Sequence, residues 1–406
     1  MYHIAVAGAG PAGIMAALTA QETGAHAVVF DAGVPLATVL RTGGGRCNLT
    51  NVGVEGTALA ASYPRGGRFL LSAFSRFGPR ETMEWFRSRG LPLVEEEEGR
   101  VFPRSGKATD VRNLLAAQAR TAGVRILAQQ PVTAIAFTAD GFQVSTPRGE
   151  EAFDRVIIAT GGDWQNEKGA GYGLALSLGH TVTRLAPALT GLAALETWPS
   201  SLAGLTLGSA RLQAHPEGTR SIEEIGGLVF THTGISGPVT FRVASRYAFT
   251  PFTRHAPLRL HLSPLGDRDK QGIEQDLMDA LAARPRQQVF SALRGLLPRS
   301  LAGVVLSLAG IPHEARGSDL TRAQRRTLVD LVDRMPLTIV DRDRGEEMVT
   351  AGGVDLGEVD PRSMESRILP GLYFCGELLD IDGFTGGFNL QAAWSTGRVA
   401  GLAAAG

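Results

Sequence analysis

Ile4-Ala5-Val6-Ala7-Gly8-Ala9-Gly10-Pro11-Ala12-Gly13, near the start of a 406-residue chain, decides the fold. The four leading residues read as a short buried strand, and a glycine-spaced turn follows at once. An apolar helix then runs to about Thr23, where Gly24 stops it. Ala27 to Phe30 is a second strand and ends on Asp31. Strand, glycine turn, helix, strand and acid within about 31 residues is the pattern of a dinucleotide-binding βαβ unit. Gly8 permits the tight turn, Gly10 lets backbone approach a pyrophosphate, and Gly13 lets helix and strand pack closely. Ala9 lies in that turn, while Pro11 and Ala12 open a helix whose free N–H groups and positive end suit phosphates. Asp31 is placed to accept the ribose hydroxyls and disfavours a 2′-phosphate. The expected ligand is the adenosine diphosphate portion of FAD or of NAD, and the fold class is α/β.

Composition supports a globular protein rich in unusual turns. Glycine supplies 51 of the 406 residues, about 12.6% against an ordinary share near 7%. With 44% hydrophobic and 20% charged residues, that excess fits neither a collagen nor a disordered chain. Cys47 and Cys375 are the only cysteines, with no C-x-x-C and no Cys/His cluster. A disulfide framework is therefore excluded, neither a thiol–disulfide shuttle nor a structural zinc is expected, and the simplest compartment is cytoplasmic. Forty basic residues balance forty acidic ones, and lysine stands only at 107, 168 and 270. Zero net charge speaks against a globally basic nucleic-acid binder. No apolar run reaches the roughly 20 residues of a membrane span, and no basic leader opens the chain.

Further along, Thr109 caps a helix to about Ala122, Val124 to Ala128 is a strand, and Val132–Thr138 with Phe142–Thr146 reads as a hairpin. Phe153 to Ala159 is a strand ending in Thr160-Gly161-Gly162, where backbone can again meet a cofactor. From about Pro187 to Pro264 the texture is β-rich, with many turns. From Asp269 to Met335 it is helical, with Ile273, Leu277 and Leu281, then Val289, Phe290, Leu293 and Leu297, then Leu328, Leu331 and Val332 at helical spacing. Leu337–Val340 and Glu347–Thr350 read as returning strands. Gly371 to Gly376 is a buried strand with Glu377, Asp380 and Asp382 after it. A last helix begins near Asn389, and its Ala393, Gly397 and Gly401 suit close approach to a neighbour.

Three segments, Gly8–Gly13 with Asp31, Ala159–Gly162 and Gly371–Asp382, resemble the FAD contacts of the glutathione-reductase-like fold. Thr42-Gly43-Gly44-Gly45-Arg46-Cys47-Asn48-Leu49-Thr50-Asn51, Phe230–Pro238 and Thr385–Gln391 narrow the likeness. Together they resemble the BaiN/RdsA-type (aminoacetone-oxidase-like) FAD-dependent oxidoreductases of bacteria, over essentially the whole chain. Asp31 and Thr42 stand where such flavoproteins usually carry Glu and Ser. The resemblance implies a Rossmann FAD-binding domain (1–186 and 353–406), an inserted β-barrel-like substrate domain (187–268 and 336–352) and a small helical domain (269–335). It implies FAD contacts at Gly8, Ala9, Gly10, Pro11, Ala12, Gly13, Asp31, Gly44, Gly45, Arg46, Cys47, Asn48, Val132, Thr160, Gly161, Gly162, Gly376, Glu377, Asp380, Gly387, Phe388, Asn389 and Leu390. Members act in amine oxidation, in enone steroid reduction and in reduction of a ribosomal uridine.

The chemistry of these residue types fits that role. Gly43 to Gly45 offer backbone N–H groups, Arg46 a charge, Asn48 and Asn51 amide hydrogen bonds, and the last helix a positive end for the flavin's N1–C2 carbonyl edge. Cys47 is the candidate acid for a substrate carbon, or packs as a small hydrophobe; His232 orients substrate or is structural. Cys375 reads as strand packing and Glu95–Glu98 as a solvated face. Arg100, Arg104 and Lys107 read as surface charge or as the contact for an anionic partner. There is no second G-x-G-x-x-G unit. NADPH or NADH would thus visit transiently, or the substrate itself would reduce the flavin. The expected activity is delivery of hydride from reduced FAD to a conjugated double bond of a small molecule. Its alternatives are a peroxide-forming amine oxidase and an enzyme reducing a ribosomal uridine, with neutral charge favouring a small molecule over RNA. Oligomeric state is left open.

Overall fold

The computed structural model describes residues 1–163, 165, 170–215, 221–283, 286–343 and 349–406. They form two compact units, 1–187 with 349–406 and 188–348. In chain order the principal elements are β1 (His3–Ala7), α1 (Pro11–Glu22), β2 (His26–Phe30), α2 (Ala108–Thr121), β3 (Arg125–Leu127) and β4 (Arg155–Ile158). There follow β5 (Leu192–Ala194), β6 (Thr206–Ala214), β7 (Ile222–Phe230), β8 (Gly234–Ser236) and β9 (Leu258–Ser263). The remainder are α3 (Lys270–Ala283), α4 (Val289–Leu293), α5 (Arg299–Leu308), α6 (Arg322–Asp333), β10 (Met335–Arg342), β11 (Leu372–Phe374) and α7 (Phe388–Ala405).

In the first unit five parallel strands lie in the order β11-β4-β1-β2-β3, with Val6 between Ile157 and Val29 and Ile157 beside Tyr373. Runs such as Ala27-Val28-Val29 are buried on both faces, as a covered parallel sheet requires. All five strands point the same way, so Gly8, Asp31, Ala159 and Cys375 each follow a strand at one carboxyl edge, where α/β folds bind ligands. The small residues of the last helix meet α1: a Cβ on Gly397 would lie 2.4 Å from Ala12 O, and one on Gly401 2.3 Å from Ala16 O. The expected Phe153–Ala159 strand divides at Asp154, whose Oδ2 accepts from His3 N at 2.6 Å. Gly149–Phe153 instead adds a third strand to the hairpin.

Elsewhere in this unit the buried His180 ring lies 3.1 Å from Glu358 Oε2 through Nδ1 and 2.9 Å from Ser366 Oγ through Nε2. The order resembles a hydrolytic triad. The Ser366 oxygen, however, already accepts from Ile368 N and Leu369 N at 3.0 and 2.8 Å. A buried hydroxyl so filled is a structural clasp.

The second unit is a closed antiparallel barrel, β5-β8-β7-β6-β9-β10, with the helix Pro238–Arg246 and α3 to α6. The helical periodicity reads out directly: Ile273, Leu277, Val289, Leu293, Leu328 and Val332 are wholly or almost wholly buried, in one apolar cluster with Leu212, Leu260 and Ile339 of the barrel. Of the expected returning strand Glu347–Thr350, residues 347 and 348 lie outside the described residues; Thr350–Ala351 pairs with Ala186–Pro187 in the first unit and does not join the barrel. Among the described residues no helix is long and apolar enough to cross a membrane.

Candidate functional site

Packing forces the first glycine turn. Gly8 has φ +106°, and a Cβ there would lie 2.4 Å from Ala159 O. A Cβ on Gly13 would lie 1.9 Å from Gly8 O. Gly10 caps α1 without a side-chain hydrogen bond and Pro11 supplies a first position that has no N–H, so the N–H groups of Ala12 and Gly13 have no partner within the helix. Asp31 is engaged more than its sequence position implies. Its Oδ2 accepts from Ala9 N and its Oδ1 from Gly33 N, both at 2.7 Å. The carboxylate therefore braces the glycine turn and would offer a ribose only its remaining lone pairs. Gln130 N donates to Asp31 O at 2.7 Å, and Val132, two residues on, is half-buried against the core.

The second glycine run packs differently. Gly43, Gly44 and Gly45 all have positive φ. A Cβ on Gly43 would meet Asn48 N at 2.8 Å, whereas Gly44 has nothing within 4 Å. Arg46 departs from the expectation of a charge free for the cofactor. It is ion-paired with Glu96, its Nη1 at 3.3 Å from Oε2, and its guanidinium lies 4.1 Å from the Phe102 ring centroid. The acidic run is accordingly more than a solvated face, since Glu96 holds Arg46 and Glu98 O accepts from Asn51 Nδ2 at 3.0 Å. Cys47 is 0% exposed, in a left-handed conformation at φ +61°, with its N–H donating to Thr42 O at 3.0 Å. Burial pushes its thiol up to about 12. Asn48 Oδ1 is buried with no hydrogen-bond partner.

The C-terminal segment closes the arrangement. Gly376 N donates to Thr396 Oγ1 at 2.9 Å, and Glu377 Oε1 accepts from Thr350 N at 2.8 Å. Burial, with Asp382 adding to it, raises the Glu377 carboxyl to about 7. Asp380 accepts from Thr183 Oγ1 at 3.1 Å and is likewise raised by burial, while the fully buried Asp382 pairs with Arg65. Gly387, at φ +97°, precedes α7, and a Cβ there would lie 2.8 Å from Asn48 Oδ1. The Asn389 side chain clasps Gly383 in both directions, at 2.7 and 2.8 Å. That engages its amide and leaves the first-turn backbone N–H groups of Phe388, Asn389 and Leu390 as the donors of α7.

Segments far apart in sequence thus converge within the first unit. Gly8 abuts Ala159 and Thr160, Gly376 abuts Ala12, Gly162 abuts Glu377, and Asn48 abuts Gly387. Cys375 is buried as strand packing. His232 is not in this unit. It sits in the barrel, in the turn between β7 and β8, where Thr231 Oγ1 accepts from Gly234 N at 3.0 Å and Thr233 Oγ1 donates to Asp343 Oδ2 at 2.9 Å. The His232 ring itself is exposed. The sequence reading missed Arg65, Thr183 and Thr350. Only Thr350 had a signal, Thr350-Ala351-Gly352-Gly353, which repeats the texture of Thr160-Gly161-Gly162; a Cβ on Gly352 would lie 2.1 Å from Arg184 O.

The donor set fits FAD. Two helix N-termini present unpaired N–H groups, and Asn48 Oδ1, Gln130 Oε1, Thr160 Oγ1 and Asp380 Oδ1 are buried side-chain atoms without partners. These features define a Rossmann-type flavoprotein. Residues 2–403 match the HI0933-like protein Rossmann domain, and the chain belongs to that family. It is similar to the 3-dehydro-bile acid delta(4,6)-reductase of Clostridium scindens, with 34% identity over 100% of this chain and 99% of the relative. It is also similar to the ribosomal RNA dihydrouridine synthase of Escherichia coli, with 31% identity over 96% of this chain and 95% of that one. Among solved structures it shares its fold with the Escherichia coli quinol fumarate reductase chain FrdA, at TM-score 0.52, 14% identity and coverage of 100% and 70%. The 3-ketosteroid delta1-dehydrogenase of Sterolibacterium denitrificans matches at TM-score 0.52, 13% identity and 98% coverage of both chains. The protein is a flavin-dependent oxidoreductase.

Proposed function

We propose that this enzyme reduces a carbon–carbon double bond conjugated to a carbonyl group. The observation that carries the reading is the common chemistry of its relatives' names. A delta(4,6)-reductase of a 3-dehydro-bile acid and a dihydrouridine synthase both saturate such a bond, on unrelated substrates. FAD, when bound, supplies the hydride from N5 of its reduced form. The first turn of α1 would hold the pyrophosphate, Asp31 would fix that turn, and Thr160 to Gly162 with Gly376, Glu377 and Asp380 would line the ribityl side. Asn48 and the N-terminus of α7 would hold the electron-rich carbonyl edge of the ring. NADPH or NADH is the reductant of this reading.

Cys47 is assigned to packing, the second of its two expected roles. Its thiol, 0% exposed and raised by burial to about 12, supports packing as the reading for Cys47. His232, exposed in the barrel turn, keeps the substrate-orienting role of the two it was expected to play. Replacement H232A lowering kcat tenfold or more supports that role; an unchanged kcat removes it. The reaction itself is tested by reducing the holoenzyme anaerobically with NADPH or NADH and adding a conjugated enone. Reoxidation of the flavin with a saturated product supports the reading. Bleaching by an amine, with peroxide formed on admitting air, would replace it with an amine oxidase. Loss of dihydrouridine from ribosomal RNA in a deletion strain, with no turnover of small enones, would assign the substrate to RNA.

A further inference from the structure

The barrel unit carries a cationic cluster that the flavin chemistry does not use. Arg334 ends α6, and its Nη2 lies 3.1 Å from Nδ1 of His261 on β9 and 3.5 Å from Nε2 of His215, which follows β6. The two imidazole centroids are 5.2 Å apart. A guanidinium only donates, so the facing ring nitrogens are its acceptors in this arrangement. Burial, then Arg334 and His215, hold His261 below its ordinary pKa, with Asp333 opposing them.

The charges facing the cluster come from each neighbouring element. Asp333 of α6 is committed to Arg211 of β6 at 3.0 Å, and Glu223 of β7 accepts from Gln213 of β6 at 2.6 Å. Ser221 Oγ lies 3.1 Å from His215 Nδ1, and β10 sets the uncharged Pro336 and Thr338 beside β9. Arg259 of β9 is exposed, and its carbonyl accepts from His215 N at 3.1 Å. It has no ion-pair partner among the described residues. Four groups able to carry positive charge thus share one face, and among the described residues the acids Asp333 and Glu223 beside them are already engaged. Protonating either imidazole turns its contact with Arg334 from attraction to repulsion unless an anion enters.

We propose that His215, His261 and Arg334, with Arg259 beside them, bind the oxyanion of a phosphate group, more tightly as the pH falls. The two arginines supply fixed charge with several donors, and the imidazoles become donors on protonation. The group would belong to a polynucleotide backbone or to a free phosphate. The inference is independent of which double bond the enzyme reduces.

The test uses the FAD-loaded protein and follows the histidine ring signals by NMR, assigned with H215Q and H261Q. Sodium phosphate is titrated against sodium chloride at matched ionic strength near pH 6 and near pH 8. Saturable movement of both signals with phosphate but not chloride is expected, weakening about tenfold or more between the two pH values and lost in R334Q. A uridine decamer that binds more tightly than phosphate assigns the site to a polynucleotide backbone; a decamer no tighter than phosphate assigns it to a free phosphate. Signals unmoved by both ligands, or moved equally by chloride, overturn the proposal.

Discussion

Gly8–Gly13 and Gly43–Gly45 are alike as sequence and unlike in their surroundings. In the first run Gly8 and Gly13 leave no room for a side chain, because backbone oxygens lie 2.4 and 1.9 Å from their Cβ positions, while Gly10 between them meets only Thr38 Oγ1, at 4.0 Å. In the second run Gly43 is packed, but Gly44 has nothing within 4 Å and Gly45 nothing nearer than 3.9 Å. There, glycine is required by positive φ and by the open space a ligand would fill. Gly8, Gly13 and Gly43 are thus matters of folding, whereas Gly10 and Gly44 leave space that the proposed cofactor would fill.

Substitutions can break that distinction. G13A has the largest expected effect, since a Cβ against fixed backbone costs about 3 kcal/mol or more: the protein should melt many degrees lower and purify without flavin. G44A pays only for left-handed backbone, about 1–2 kcal/mol, and should fold with a small fall in Tm while FAD affinity drops. Equal melting losses in the two variants would erase the comparison. R46Q should do least. Its charge is already paired with Glu96 near the surface, so FAD affinity should change by less than about threefold. A larger loss would return Arg46 to the cofactor.

Acidity sharpens the account from another side. Glu377 has its carboxyl raised to about 7 from an ordinary 4.5. Its neutral form is therefore favoured by the fold. The stability it contributes is full below about pH 4.5 and is lost as the pH rises through 7. Apoprotein melting should fall across that window and E377Q should flatten the fall. The residue keeps some exposure, so the swing should stay below the roughly 3 kcal/mol of full burial. His180 acts in the opposite sense. Burial lowers its pKa, so its contribution is present above about pH 6.5 and is lost as the pH falls below it. H180Q should reduce the acid sensitivity of melting.

Much of this was legible in the residues. The βαβ unit, the helical periodicity around Ile273 and Leu328, and the close-packed Gly397 and Gly401 all follow from local pattern, because strand, helix and close-contact requirements are short-range. What stayed hidden depends on partners distant in sequence. Nothing near Arg46 announces Glu96, nothing near Asp31 announces that Ala9 N will occupy its carboxylate, and Arg65 gives no local sign of Asp382. The burial of Cys47 is hidden for the same reason: a polar run such as Arg46-Cys47-Asn48 reads as a surface until tertiary packing covers it.

The central claim is that one cradle binds FAD and serves double-bond reduction. Stopped-flow spectroscopy of the NADPH- or NADH-reduced holoenzyme mixed anaerobically with a conjugated enone tests it most directly. The account predicts return of the oxidised flavin spectrum with one saturated product formed per flavin. A purified protein that holds no flavin, or a reduced flavin that oxygen reoxidises while conjugated enones and uridine-containing RNA do not, would contradict it.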